Sequence, residues 1–345
     1  MSNLAIAALG ALLATNQPVA VSNLVRSETG LSVTVPDPND PVEQEFKKLM
    51  EADNAAQAEV DQWIRDNAKF SAKGAGTPNP ELNKRILDRF APVRKGYENF
   101  LQQHTNHVGA RIAYASFLND IGDEEGQREQ LEQALELDKT DPAIWNNLAN
   151  YYGHRGPVKK AFTYYEKAIE LDPNEPVYYH NFGTTVFLFR TDVKEYYDIS
   201  EQQVFDKALM LYSNAMRLAP DDFPLASDIA QTYYGIKPPR TEEALRAWTN
   251  AFNLAHDEIE REGVHTHFAR IKLNAGRFDE ARGHLDAVTN AMYAALKKRL
   301  ERNLNEKSSG TNTPPAEATE SPASLGRTNA SPSPLPAGGE RTGVR

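Results

Sequence analysis

Residues 142–175 read PAIWNNLANYYGHRGPVKKAFTYYEKAIELDPNE, and this stretch decides the fold. Asp141-Pro142 opens it: a carboxylate faces the free amides of a first turn, where proline loses no hydrogen bond. Trp145, Leu148, Ala149 and Tyr152 then recur at helical spacing, Gly156 marks a turn, and Ala161, Tyr165 and Ala168 set a small-large-small pattern before Pro173. Small residues let two helices approach closely, while the large side chains fill the holes between neighbouring pairs. Glu175-Pro176 repeats the opening signal.

Those nine positions resemble the tetratricopeptide-repeat consensus, and the neighbouring sequence repeats the scheme. Residues 108–141 offer Tyr114, Ala115, Leu118, Gly122, Leu131 and Ala134, with Gln127 in place of the small residue that begins the second helix, so looser packing is expected there. Residues 176–222 offer Tyr179, Phe182, Gly183, Val186, Ala208, Tyr212, Ala215 and Pro220, but carry an insertion placed around 191–203. The insertion, with Tyr196, Tyr197 and Ile199, reads either as a second contact surface or as a segment packed back on the edge of the stack. Residues 223–258 use Ile229, Ala230, Tyr233, Ala244, Trp248 and Ala251, and residues 262–291 use Phe268, Ala269, Gly276, Ala281, Leu285 and Val288.

The resemblance implies an all-α, right-handed superhelical solenoid of antiparallel helix pairs over residues 108–306, closed by an end helix at 290–306 carrying Met292, Leu296, Leu300 and Leu304. Before it, residues 42–107 form an N-terminal helical region: an amphipathic helix from Val42 (Phe46, Leu49, Met50, Ala56, Val60, Trp63, Ile64), a Gly/Pro break, and a stretch from Glu81 through Leu87, Phe90, Val93, Tyr97 and Leu101 that reads as a half-repeat cap. Residues 21–41 read as a linker. Residues 307–345, with six prolines and almost no large apolar side chain, have the composition of a disordered tail.

Residues 1–20 contain the apolar run 4–14, of signal-peptide length yet without a preceding Lys or Arg. Export or membrane tethering through this run and a cytoplasmic location with a packed N-terminal helix both stay open. A net charge of −10 argues against a nucleic-acid surface, which needs clustered cations. With no cysteine, disulfides, thiolate nucleophiles and Cys-ligated zinc are excluded.

No phosphate loop, dinucleotide fingerprint, zinc-helix or nucleophile-elbow motif occurs, so the chain reads as non-enzymatic, with no cofactor and no metal. His104 and His107 read as solvent-facing side chains at a helix end, and His265 and His267, two apart, point to opposite sides of a helix. Glu124-Glu125 and Asp221-Asp222 fall at turns, as helix caps do. The tyrosine doublets map mostly to packing positions rather than to a base-stacking platform.

In the tetratricopeptide family, successive first helices line a concave groove that takes an extended peptide or partner helix. The resemblance carries its groove positions onto Asn146, Asn150, His154, His180, Thr184, Phe187, Ser227, Gln231, Tyr234, Thr266 and Arg270. A groove lined by Asn and His suits main-chain recognition of an extended segment. The expected function is a protein-interaction scaffold with a protein or peptide partner; the alternative is a structural or assembly component of a bacterial-type cell envelope, tethered by its N-terminus.

Overall fold

The computed structural model describes residues 39–71, 77 and 79–310. Residues 21–38 of the linker expected at 21–41, the apolar run at 4–14 and nearly all of the expected tail lie outside them, while Pro41, assigned to that linker, already opens the first helix. Among the described residues every regular element is helical, and none of these helices is long and apolar enough to cross a membrane. The chain divides into two compact units, one through Lys139 and one from Thr140.

The first unit is built from α1 (Pro41–Ser71), α2 (Asn79–Gln103), α3 (Val108–Asp120) and α4 (Glu124–Leu137). Ala56 and Val60 of α1, Phe90, Val93, Tyr97 and Phe100 of α2, and Ala110, Tyr114, Phe117 and Leu118 of α3 share one core. The stretch read as a half-repeat thus has α1 as its packing partner. Leu87 and Ile64, both counted in the apolar stripes, are exposed, so each stripe is narrower than its periodicity suggests.

His107 departs from the solvent-facing reading. Its Nδ1 accepts from the Ala110 amide at 2.9 Å, capping α3, while Nε2 lies 3.2 Å from Glu43 Oε1. With Nδ1 accepting, the proton sits on Nε2 and is donated to the carboxylate. His104 reaches Glu45 at 3.7 Å and packs on Phe100. Two carboxylates from the start of α1 therefore meet the α2–α3 corner.

The second unit stacks helix pairs as a solenoid: α5 (Pro142–Arg155) with α6 (Val158–Leu171), α7 (Pro176–Leu188) with α9 (Glu201–Leu218), α10 (Phe223–Thr232) with α11 (Thr241–Leu254), and α12 (Glu258–Asn274) with α13 (Phe278–Asp286). The small residues meet the expected fate: Ala149, Ala161, Ala168, Ala208, Ala215, Ala251 and Ala281 are fully buried. Their carboxylate starts also hold, with Asp141 capping at Ala143, Glu175 at Val177 and Asp222 at Leu225. At Gly156 the backbone takes φ +78°, a left-handed turn that glycine enters without steric cost.

The insertion forms the short helix α8 (Arg190–Tyr197), after which Ser200 and Gln203 close a capping box that restarts the second helix of the pair. At the far end α14 (Ala294–Ser308) buries Leu300 and Leu304 against Ala269, Leu273, Ala281 and Leu285. Met292, grouped with them by spacing, instead lies exposed in the short 3-10 turn before α14.

Candidate functional site

The first helices α5, α7, α10 and α12 of the second unit are tied to one another by polar contacts. Asn181 Nδ2 of α7 donates to Asn146 Oδ1 of α5 at 3.2 Å; His180 of α7 lies 3.4 Å from Asp228 of α10; and Tyr234, in the 3-10 turn that continues α10, meets His267 Nδ1 of α12 at 2.9 Å. Each of these contacts joins a side chain of one first helix, or of the turn that continues it, to a side chain of the next.

The eleven groove positions split under this geometry. Asn146 is buried (3 % exposed) with its carbonyl taken by Asn181, and Thr266 is buried with its hydroxyl turned back on the Gly263 carbonyl. Neither side chain is open to solvent. Phe187 uses its ring inward, against Phe205 and against Gly235, where a Cβ would come within 2.5 Å of the ring. A side chain at position 235 would force the Phe187 ring to shift.

The remaining positions stay accessible. Asn150 is half-buried, and one end of its amide meets the Tyr165 hydroxyl at 2.6 Å, leaving the other end for the groove. Thr184 pairs with the Tyr212 hydroxyl at 3.1 Å, and Gln231 Nε2 reaches Ser227 Oγ at 3.4 Å. His154 and Arg270 are exposed, and the Arg270 guanidinium stands over the Tyr234 ring at 4.5 Å.

Burial sets the titration of this face. It pushes the Tyr165 and Tyr234 hydroxyls up, so both stay protonated donors, and it combines with the Arg270 charge to push His267 down to about 4, a neutral acceptor at physiological pH. His267 stacks flat on Trp248, with centroids 3.8 Å apart. The Trp248 Nε1 is buried beside the Tyr234 hydroxyl without hydrogen-bond geometry.

His265 and His267 do face different partners, as their spacing requires. His265 Nδ1 meets His284 Nδ1 at 2.9 Å with ring centroids 5.1 Å apart. These two lengths set the nitrogens nearly head-on, the arrangement of one N–H···N bond rather than of two lone pairs converging on an ion. Among the described residues no three His, Asp or Glu side chains come together to hold a metal.

Helix α8 packs back on α6. Tyr196 pairs with Thr163 at 3.1 Å, Tyr197 donates to Glu166 at 2.5 Å, Lys159 pairs with Glu195 at 2.9 Å, and Val193 is fully buried. Of the two readings of the insertion, the packed one describes these side chains. Asn181, Asp228, His267 and Trp248 were not among the expected site residues; an Asn beside a histidine at a groove position was the available signal for Asn181, and for the other three there was none.

A tetratricopeptide-repeat family model matches residues 142–175. No curated protein sequence matches the chain. Among solved structures, PilW, a type IV pilus biogenesis factor, is 12 % identical, with 70 % of this chain and 98 % of that chain covered and a TM-score of 0.49. The pilF protein of Pseudomonas aeruginosa is 13 % identical over 74 % of this chain and 99 % of that one, with a TM-score of 0.46. MamA is 21 % identical over 52 % of this chain and 95 % of that one, with a TM-score of 0.39.

Proposed function

We propose that this chain, a tetratricopeptide-repeat protein, is a scaffold that binds an extended peptide segment of a partner on the face formed by α5, α7, α10 and α12. The observation that carries the reading is the half-engaged state of its polar side chains. Asn150, His180, Thr184 and Gln231 each spend one polar atom on a neighbour, which fixes the side chain. Each retains further donor or acceptor capacity. Fixed side chains with spare hydrogen-bonding capacity lower the ordering cost of binding, and an extended backbone offers the N–H and C=O groups to meet them.

The test is selection of displayed random dodecapeptides on the full chain, followed by fluorescence anisotropy of a selected peptide. The combined variant Asn150→Ala, His180→Ala and Gln231→Ala is expected to bind at least about tenfold more weakly, with unchanged helical circular dichroism. Unchanged affinity in the folded variant sinks the assignment of the face.

A further inference from the structure

We propose that the apolar corner where α9 meets α10 is a second docking site, one that seats a Lys or Arg side chain of a partner segment. It shares no residue with the eleven groove positions and does not rest on the peptide-binding reading. The corner is an open depression of about 440 Å³. Ala219, Pro220, Phe223 and Pro224 supply its apolar lining, Asp221, Asp222 and His256 complete it, and no Lys or Arg side chain lines it. Phe223 meets His256 edge-on, with ring centroids 6.2 Å apart.

The preceding corner, between α6 and α7, shows what leaves this one open. There Pro173 lies two residues before the Glu175 cap, and Tyr179, four residues after the cap, turns its hydroxyl back to the Pro173 carbonyl at 3.1 Å. Between α9 and α10 the corresponding positions are Pro220, Asp222 and Ala226. Alanine has no side chain to reach back with, and Ala226 is itself buried in the core. Nothing from that position covers the corner, so Pro220 and Phe223 line a common depression.

The charge of the corner selects the occupant. Asp222 is engaged, its Oδ1 accepting the Leu225 amide at 2.8 Å as the cap of α10. Asp221 is exposed and, among the described residues, has no hydrogen bond or ion pair. Helix α9 ends at this corner and α11 ends two residues before His256, without a basic residue in its last turn. The last carbonyls of a helix favour a cation. Arg261, which reaches the nearby Ala255 carbonyl at 3.2 Å, is already paired with Glu258 at 2.8 Å. A single Lys or Arg side chain meets both features of the site: its aliphatic stem covers the proline and alanine surface, and its charged head stands beside the Phe223 ring and Asp221. A purely apolar side chain would leave Asp221 unmet, and an acidic one would be repelled. The net charge of −10 draws basic segments to the chain in the first place.

Four pools of fluorescent peptides, capped at both ends and randomised among uncharged residues around one central residue, test this by anisotropy on the full chain. The central residues are Lys, Arg, norleucine and Glu. The Lys or the Arg pool is expected to bind at least about fivefold tighter than the norleucine pool, with the Glu pool weakest, and the leader of the first two names the head group. Asp221→Asn is expected to bring the Lys, Arg and norleucine pools to parity, and Asp221→Lys to turn the preference toward Glu. Both change an exposed side chain, and unchanged helical circular dichroism verifies their fold. The Asn150→Ala, His180→Ala and Gln231→Ala variant is expected to keep the preference for Lys or Arg. Equal binding of the norleucine pool to the unsubstituted chain overturns the inference. A preference for Lys or Arg that survives Asp221→Asn overturns it as well, and its loss in the triple variant would then place the cation on the peptide-binding face. Binding of none of the pools defeats the corner as a docking site, while the selection of displayed peptides still judges the peptide-binding face by itself.

Discussion

Each compact unit buries one tyrosine on the second helix of its first pair, and the two are paired differently. Tyr97 of α2, fully buried, donates to Asp53 at 2.7 Å; Tyr165 of α6, 2 % exposed, meets Asn150 at 2.6 Å and Thr185 at 3.1 Å. The first partner titrates and the second set does not. Burial pushes the Asp53 carboxyl above its ordinary range despite the Tyr97 hydrogen bond, and Asp120, joined to it through Gln57, is pushed to about 6 by desolvation and by the Asp53 charge. The same packing problem, a phenol hydroxyl that burial must satisfy, is solved in one unit at a pH-dependent cost and in the other with neutral groups.

Removing either ring produces the largest effect. Tyr97→Ala and Tyr165→Ala are each expected to cost about 3–5 kcal/mol through lost burial and the cavity left behind. Native-state hydrogen exchange should register each loss in the amides of the mutated unit, and equal loss in both units from one substitution would break the comparison. The next step keeps the ring and removes the hydroxyl. Tyr165→Phe should cost about 1 kcal/mol at any pH, whereas Tyr97→Phe leaves a buried carboxylate without its donor and should cost about 1–3 kcal/mol, more at neutral pH than in acid.

The smallest effect is the one that separates the units most cleanly. Carboxyl groups raised by the fold favour the protonated native state, so their contribution is present below the ordinary carboxylate range and is lost as pH rises through the folded value, about 6 for Asp120. Combining Asp53→Asn with Asp120→Asn keeps an acceptor for Tyr97 and removes both titrations. Protection of amides in the first unit is then expected to change less between about pH 4 and about pH 7 than in the unsubstituted chain. The same steep change in both proteins would assign the pH dependence to groups other than Asp53 and Asp120.

Much of the fold was legible because its signals repeat. Ala161, Ala168, Ala208 and Ala215 are read from the resemblance to the repeat consensus, and the caps at Asp141, Glu175 and Asp222 from residue type and position. The insertion was legible as extra length between two helices, but not as a helix seated on α6 through Val193, Tyr196 and Tyr197. The candidate face was legible only in part. Asn150, His180, Thr184, Ser227, Gln231, Tyr234 and Arg270 sit where the repeat register puts them with their side chains half-buried or exposed, while Asn146 and Thr266 are sealed in.

What the sequence determined by itself is the periodic part: which residues form helices, where the helices start and stop, and which small side chains let pairs close. These follow from interactions over one or two turns and from a packing code that recurs with the repeat. Tertiary structure decided which polar side chains remain available. Asn146 is closed off by Asn181, Tyr234 is locked by His267 and Trp248, and His107 is drawn into a cap and a bond to Glu43. Apart from the Ala110 amide, three residues on from His107, those partners lie tens of residues away or on a third helix and obey no period. The hydrogen-bond state of a buried polar group depends on the atom that faces it across the gap, and only the packed chain fixes that atom.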